Sequence, residues 1–168
     1  MGFNKGVVQM KGQDVLFASN NDEWQTPQGL FHYLNDKFNF TMDLAASDTN
    51  HLAEKYYTKE SNALLQDWQD EVAFCNPPYS IVGQFINKAM EQKDKAKVIC
   101  MLVASRTDTK AFQNMTNAYV LFIRGRLKFI GAKHSAPFPS ALIFLGSEIN
   151  TVEKKLRNQI LGTLVKWG

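Results

Sequence analysis

Asn76, Pro77, Pro78 and Tyr79 stand together at the end of a short apolar run, Val72-Ala73-Phe74-Cys75. An asparagine amide carries an acceptor oxygen and a two-hydrogen donor. The two prolines lack N–H groups and have fixed φ, so their carbonyls project from a rigid backbone. Tyr79 adds a flat aromatic face. A rigid acceptor pair beside a stacking plane suits a planar amino group attached to a π system. Two acceptors bind its two hydrogens and favour electron density localised on nitrogen, which can then attack an electrophile in line. A strand-ending turn with a packed tyrosine is the plainer use of these residues. Their place directly after an apolar strand favours the chemical use.

Such a site needs elements to hold it. Thr26-Pro27 reads as a helix start, with Thr26 as N-cap and Pro27 at the first helical position. Leu30, Phe31, Leu34 and Phe38 follow at helical spacing. "FNFTMDLAAS" reads as a strand ending near Asp43, then a turn of small residues. Phe85, Ile86, Ala89 and Met90 mark a helix after the prolines, and "KVICMLVAS" is the clearest buried strand. "TDTKAFQNMTN" predicts a helix starting near Thr107 or Asp108; "AYVLFI" and "SALIFLG" predict strands; residues 150–163 predict a C-terminal helix. The alternation from Thr26 onward predicts an α/β fold, a mostly parallel sheet with helices on both faces. In such sheets ligands bind beyond the carboxyl ends of the strands. Asp43, Asn76, Ser105-Arg106 and Arg124 all follow strands, so they are expected to share that edge.

Composition excludes several classes. The chain has 168 residues, 45% hydrophobic and 21% charged, which is globular and enough for one core. No apolar run approaches the roughly 20 residues needed to cross a bilayer, and "MGFNKGVVQMKGQ" lacks the apolar core of a signal peptide. Residues 1–22 read as an arm or irregular lead-in, and residues 23–168 as a single domain. The 2 cysteines, Cys75 and Cys100, lie in apolar runs and read as buried reduced thiols, consistent with a cytoplasmic location. The 3 histidines, His32, His51 and His134, have no metal-ligand spacing, so no metal is expected. Net charge is only +3, so its distribution matters more than its size.

The basic residues concentrate in one segment: Arg124, Arg126, Lys128, Lys133 and His134, interleaved with Phe129 and Phe138. Arg106 and Lys110 follow another strand. This suits contact with phosphates. The C-terminal Lys154, Lys155 and Arg157 read as the exposed face of a helix.

"NPPY" resembles the catalytic motif of the S-adenosylmethionine-dependent amino-methyltransferases, and the chain resembles the small phage-type (Dam-like) DNA N6-adenine methyltransferases. The matching stretches run in order: "EWQTP", "MDLAAS", "NALLQDW", "FCNPPYS", "SRTDTKAF", "RGRLKF" and "SAPFPSAL", roughly Glu23 to Gly146. The resemblance implies a Rossmann-like methyltransferase fold, S-adenosylmethionine as cofactor, and a flipped-out adenine of double-stranded DNA as substrate, with GATC a plausible target. It implies that Asn76 and the Pro77 carbonyl take the N6 hydrogens, with Pro78 in the same rigid turn, and that Tyr79 stacks on the base. Asp43 would bind the cofactor's ammonium group, with Ala45, Ala46 and Ser47 forming the close turn. Trp24, Thr26 and Pro27 would close the cofactor pocket, and Asp67 would contact the cofactor's adenine. Target recognition would fall to loops around residues 105–140, in a protein of a bacterial host cell encoded by phage or prophage. The turn after Asp43 departs from many methyltransferases in having no glycine; alanine allows close approach but not easily positive φ. Related enzymes with the same motif act on RNA adenine or a protein glutamine, and an inactive DNA-binding relative would keep the basic segment alone.

Overall fold

A computed structural model describes residues 24–168. The arm expected over residues 1–22 lies outside the described residues. The first helix, α1 (Gln28–Phe38), forms because Leu30, Phe31, Leu34 and Phe38 make one buried stripe. It ends at Asn39, whose left-handed backbone turns its N–H onto the Asn35 carbonyl at 2.8 Å. Two short strands follow, β1 (Met42–Asp43) and β2 (Lys55–Tyr56). After them come β3 (Val72–Cys75), α2 (Val82–Gln92), β4 (Val98–Ala104) and a one-turn α3 (Lys110–Gln113). The remainder is β5 (Ala118–Ile123), β6 (Ser140–Leu145), α4 (Ile149–Leu156) and β7 (Gly162–Trp167).

The strands form one 7-stranded sheet in the order β2-β1-β3-β4-β6-β5-β7. β1 pairs in parallel with β2 and β3, and β3 with β4; the pairings of β6 with β4, and of β5 with β6 and β7, are antiparallel. The α/β architecture is as expected: β1, β2, β3, β4 and β5 run the same way, and β6 and β7 run against them. β4 is buried along its whole length, because both faces are covered. Its residues alternate between two cores. Ile99, Met101 and Val103 meet α2 and α3 through Phe85, Ile86 and Phe112. Val98, Cys100 and Leu102 meet α1 and α4 through Leu34, Phe38, Val152 and Leu156. Cys75 and Cys100 fall in opposite cores as buried free thiols, and burial pushes both thiols up in pKa.

The expected C-terminal helix over 150–163 is two elements. The apolar period carries α4 only to Leu156. The Gln159 side chain then accepts from the N–H groups of Leu161 and Gly162 at 2.6 and 3.0 Å, turning the chain. Gly162 starts β7 at a place where a Cβ would lie 1.9 Å from the Phe122 carbonyl oxygen, so only glycine fits. The α3 cap also differs from expectation: Thr109 caps, and the helix starts at Lys110.

Trp68 is fully buried between a short 3₁₀ turn (Ala63–Leu65) and α2. Its indole N–H donates to the Ala63 carbonyl at 3.0 Å, and its backbone N–H donates to Gln92 Oε1 at 2.9 Å. Trp68→Ala should cost about 3–5 kcal/mol, read as a lower midpoint in urea denaturation.

No helix among the described residues is long and apolar enough to cross a membrane, and none of them form a cluster with metal-ligand character.

Candidate active site

The chain runs from β1 outward to β2, then crosses back to place β3 on the other side of β1. In α/β sheets such a reversal is where ligands bind, beyond the carboxyl ends of the two strands, here β1 and β3. β1, β3, β4 and β5 all point the same way, so Asp43, Asn76, Ser105-Arg106 and Arg124 do share one edge.

Asp43 is buried at that edge. Its Oδ1 accepts from the Ala45 N–H at 3.1 Å and its Oδ2 from the Leu52 N–H at 3.0 Å. The carboxylate therefore organises the loop to β2. It also explains how the turn dispenses with glycine. Residues 44–48 adopt no positive φ, because the Asp43 side chain supplies the turn's hydrogen bond. Ala46 N–H then donates to the Tyr57 carbonyl at 2.9 Å, and Ser47 forms an isolated bridge with Asn50. Burial raises the Asp43 pKa, opposed by the donors Ala45 and Leu52 and by His51. Beside it His51 stacks on Tyr56, with centroids 4.2 Å apart, and the Tyr56 hydroxyl donates to Asp48 Oδ1 at 3.1 Å.

Asn76 is half-buried just past β3. Its Nδ2 donates to the Trp24 carbonyl at 2.5 Å and to Thr26 Oγ1 at 3.0 Å. A carbonyl oxygen only accepts, so this side of the amide is the NH₂. The Oδ1 atom is left as an acceptor that no donor among the described residues uses. The two prolines differ. The Pro78 carbonyl accepts from the Ile81 N–H at 3.1 Å, whereas no backbone N–H among the described residues donates to the Pro77 carbonyl. Among the described residues, the Asn76 Oδ1 has no donor and the Pro77 carbonyl has no backbone donor, and both belong to the turn that carries Tyr79. Burial raises the Tyr79 phenol well above its ordinary pKa, opposed by Arg106, so the ring stays neutral.

Trp24 anchors an aromatic wall around this point. Its ring lies edge-on to Tyr79, Phe129 and Phe138, at 6.3, 5.3 and 5.9 Å. Phe138 also meets Tyr79 at 5.0 Å. Thr26 does not cap α1: Pro27 holds the cap position with no side-chain bond, and the Thr26 hydroxyl goes to Asn76 instead. An apolar depression adjoins Tyr79 between α2 and α3, lined by Val82, Ile86, Ala104 and Phe112, with Arg106 and Thr109 at its rim.

Among the described residues, three buried polar side-chain atoms lack a hydrogen-bond partner: Trp24 Nε1, Ser105 Oγ and Ser140 Oγ. All three lie at the same sheet edge, since Ser140 pairs with Ala104 at the end of β4. Buried polar groups are nearly always hydrogen-bonded, so three such atoms at one edge call for an explanation there. Nothing in the sequence signals Ser140; a serine opening an apolar run reads only as a strand start.

Lys110, Arg124, Arg126, Lys128, Lys133 and His134 are all exposed, most of them on the loop between β5 and β6. Gly125 and Gly131 have φ of +74° and +83°, turns that a side chain would strain. Phe129 and Phe138 point inward and pin this loop to Trp24. Asp67 is the exception among the expected site residues. It precedes β3, at the opposite end of the sheet, where it pairs with Lys95 at 3.0 Å and receives the Gln69 N–H at 3.1 Å. That pairing lowers its pKa.

Comparison with known proteins adds a family. The family model described as DNA N-6-adenine-methyltransferase (Dam) matches residues 13–157. The chain belongs to the Dam family. A DNA N-6-adenine-methyltransferase of Escherichia phage T1 is 36% identical over 93 residues, 54% of this chain and 39% of that protein. One from Haemophilus phage HP1 is 36% identical over 97 residues, 56% of each. A putative methyltransferase of Escherichia coli K12 is 40% identical over 65 residues, 34% of this chain and 71% of that protein. The match thus spans about two fifths of the phage T1 protein and just over half of the HP1 protein. A dimethyladenosine transferase from Plasmodium falciparum aligns with a TM-score of 0.45 and 12% identity over 82% of this chain and 65% of that one.

The Dam-family match takes in every residue of the edge just described, from Trp24 to Ser140. It stops short of β7, so this last strand stands outside the matched region.

Proposed function

We propose that this chain transfers a methyl group from S-adenosylmethionine to the N6 amino group of an adenine turned out of duplex DNA. The observation that carries this reading is the fixed Asn76 amide. Its NH₂ is held by the Trp24 carbonyl and the Thr26 hydroxyl, which leaves its oxygen as the acceptor for an incoming amino group.

The edge fits such a cofactor. Among the described residues each Asp43 oxygen has one backbone donor, which leaves each a lone pair for a cation. Trp24 Nε1 and Ser105 Oγ, without partners among the described residues, offer donors at the same edge. Asp43, Ala45, Ser47, Trp24 and Pro27 would hold the cofactor; the Thr26 hydroxyl is taken up by Asn76, and Asp67, at the other end of the sheet, is left out. When bound, S-adenosylmethionine supplies a methyl group activated by its sulfonium. The chain's own task is alignment. Asn76 Oδ1 and the Pro77 carbonyl would accept hydrogen bonds from the two N6 hydrogens and keep electron density on nitrogen; the one N6 proton released as the N–C bond forms would pass to solvent. Tyr79, uncharged, stacks on the base. Turning the base out costs roughly a few kcal/mol, which stacking and phosphate contacts offset.

The exposed basic loop favours DNA over a protein glutamine. The test is transfer of labelled methyl groups to unmethylated duplex DNA, RNA and a glutamine-bearing protein. Duplex DNA should be the acceptor, and digestion with methylation-sensitive nucleases would then read the target, GATC first. Labelling of RNA or protein alone would overturn the DNA reading. Arg126→Ala should weaken DNA binding and reduce the slope of log K against log salt by about one. An unchanged slope would move the phosphate contacts off this loop.

A further inference from the structure

We propose that Thr26, together with the Trp24 carbonyl, is a positioning residue that sets which end of the Asn76 amide faces the substrate. The inference rests on the methyl-transfer reading above and deepens it at one bond. Thr26 is 5% exposed, one of few buried polar residues, and it directly precedes a helix. A threonine there ordinarily caps the helix by accepting its free N–H groups. This one does not. Its hydroxyl instead accepts from Asn76 Nδ2 at 3.0 Å, across 50 residues of chain.

An amide can turn over by half a rotation, exchanging NH₂ for oxygen. Here the turned form would put Oδ1 against the Trp24 carbonyl, replacing a donor at 2.5 Å with a second acceptor; the Thr26 hydroxyl, able to accept or donate, fixes the amide plane so that the carbonyl can make that choice. The correct form satisfies both NH₂ hydrogens internally and leaves only the oxygen outward. The substrate amino group needs an acceptor, so the turned amide would present hydrogens to hydrogens.

The same short segment is fastened to the basic loop. Gln25 and Ile130 form an antiparallel bridge, with the Ile130 N–H donating to the Gln25 carbonyl at 3.1 Å. Trp24 packs on Phe129 and Phe138 of that loop. Residues 24–26 therefore connect the phosphate-facing loop to the group that faces the amino nitrogen. The loop and the amide are held in register by one strap.

The test compares Thr26→Val with Thr26→Ser in the full chain. Valine keeps the shape and removes the acceptor; serine restores it. Thr26→Val should lower kcat by about 10–100-fold, since a small misplacement of a reacting group costs up to 10²-fold. KM for S-adenosylmethionine and for DNA should stay within about twofold, and the melting temperature should fall by no more than about 4 °C. Thr26→Ser should recover most of kcat. A Thr26→Val protein with normal kcat and a raised cofactor KM would overturn the positioning role and return Thr26 to the cofactor pocket. The Asn76 side-chain NH₂ signals in NMR give an independent reading. They should be slow to exchange in the wild type and should shift and exchange faster in Thr26→Val; unchanged signals would overturn the inference. Should the wild-type protein itself methylate no DNA, the reaction reading fails, and the amide signals alone decide the positioning.

Discussion

Asn76→Ala is expected to lower the rate of methyl transfer by about 10²–10³-fold, the scale for removing one preorganised polar group from a reacting centre. S-adenosylmethionine binding, measured by calorimetry, should change little, because Asp43 and its loop are held by Ala45 and Leu52 and not by Asn76. Asn76→Asp is the sharper companion. It is isosteric and keeps an outward acceptor, yet it sets a second oxygen where Nδ2 stood 2.5 Å from the Trp24 carbonyl. Its activity at neutral pH should fall nearly as far as that of Asn76→Ala. An Asn76→Asp protein at full rate would mean that acceptor count, not amide orientation, governs the reaction, and the Asn76→Ala loss would then need another cause. Full activity in Asn76→Ala would remove Asn76 from the chemistry altogether.

What the sequence discloses and what it hides divide along a physical line. The tetrapeptide Asn76 to Tyr79 is local, and its prolines announce their constraint wherever they occur. The apolar periods of α1, α2 and β4 are local as well, and they return the elements and the shared edge. The contacts that tune the site are not local. Nothing around Thr26 marks its hydroxyl for Asn76, because the helix behind it offers a sufficient use as a cap. Trp24 meets Phe129 and Phe138 only once β5 and β6 fold back. Asp67 goes astray for a related reason. The stretch from residue 50 to 70 has little periodicity, so its direction across the sheet is illegible, and it carries Asp67 down to Lys95 at the far end. The turn after Asp43 shows the opposite error. Absence of glycine suggests a strained or altered turn only while the aspartate is counted as a ligand alone; as a side-chain acceptor for Ala45 it makes glycine unnecessary.

That double use makes Asp43→Ala the other large effect. The substitution strips the acceptor from the Ala45 and Leu52 N–H groups together. A buried donor left unpaired costs about 1–3 kcal/mol; these two are half-buried, so the loop over residues 44–52 should lose at most about 2–6 kcal/mol, as local opening in hydrogen exchange. S-adenosylmethionine affinity should fall below detection in the same calorimetry. DNA binding should persist, since the basic loop is pinned to Trp24 from the other side of the edge. Asp43→Asn separates the two losses: one oxygen still accepts from Ala45, while an NH₂ faces the Leu52 N–H, so its loop should open partway and its cofactor affinity still collapse. Retained affinity in Asp43→Asn would show that the loop, not the charge, is what the cofactor needs. The charge has its own signature in pH. Burial raises the Asp43 pKa in the folded protein, so the fold favours the neutral acid. That contribution is fully present below the unfolded value of about 3.9 and is lost as pH rises through the higher folded value. An NMR titration of the Asp43 carboxyl should therefore give a midpoint above the ordinary one. A midpoint below it would mean that the two N–H donors and His51 outweigh desolvation, and that Asp43 is ionised at less cost than its burial implies.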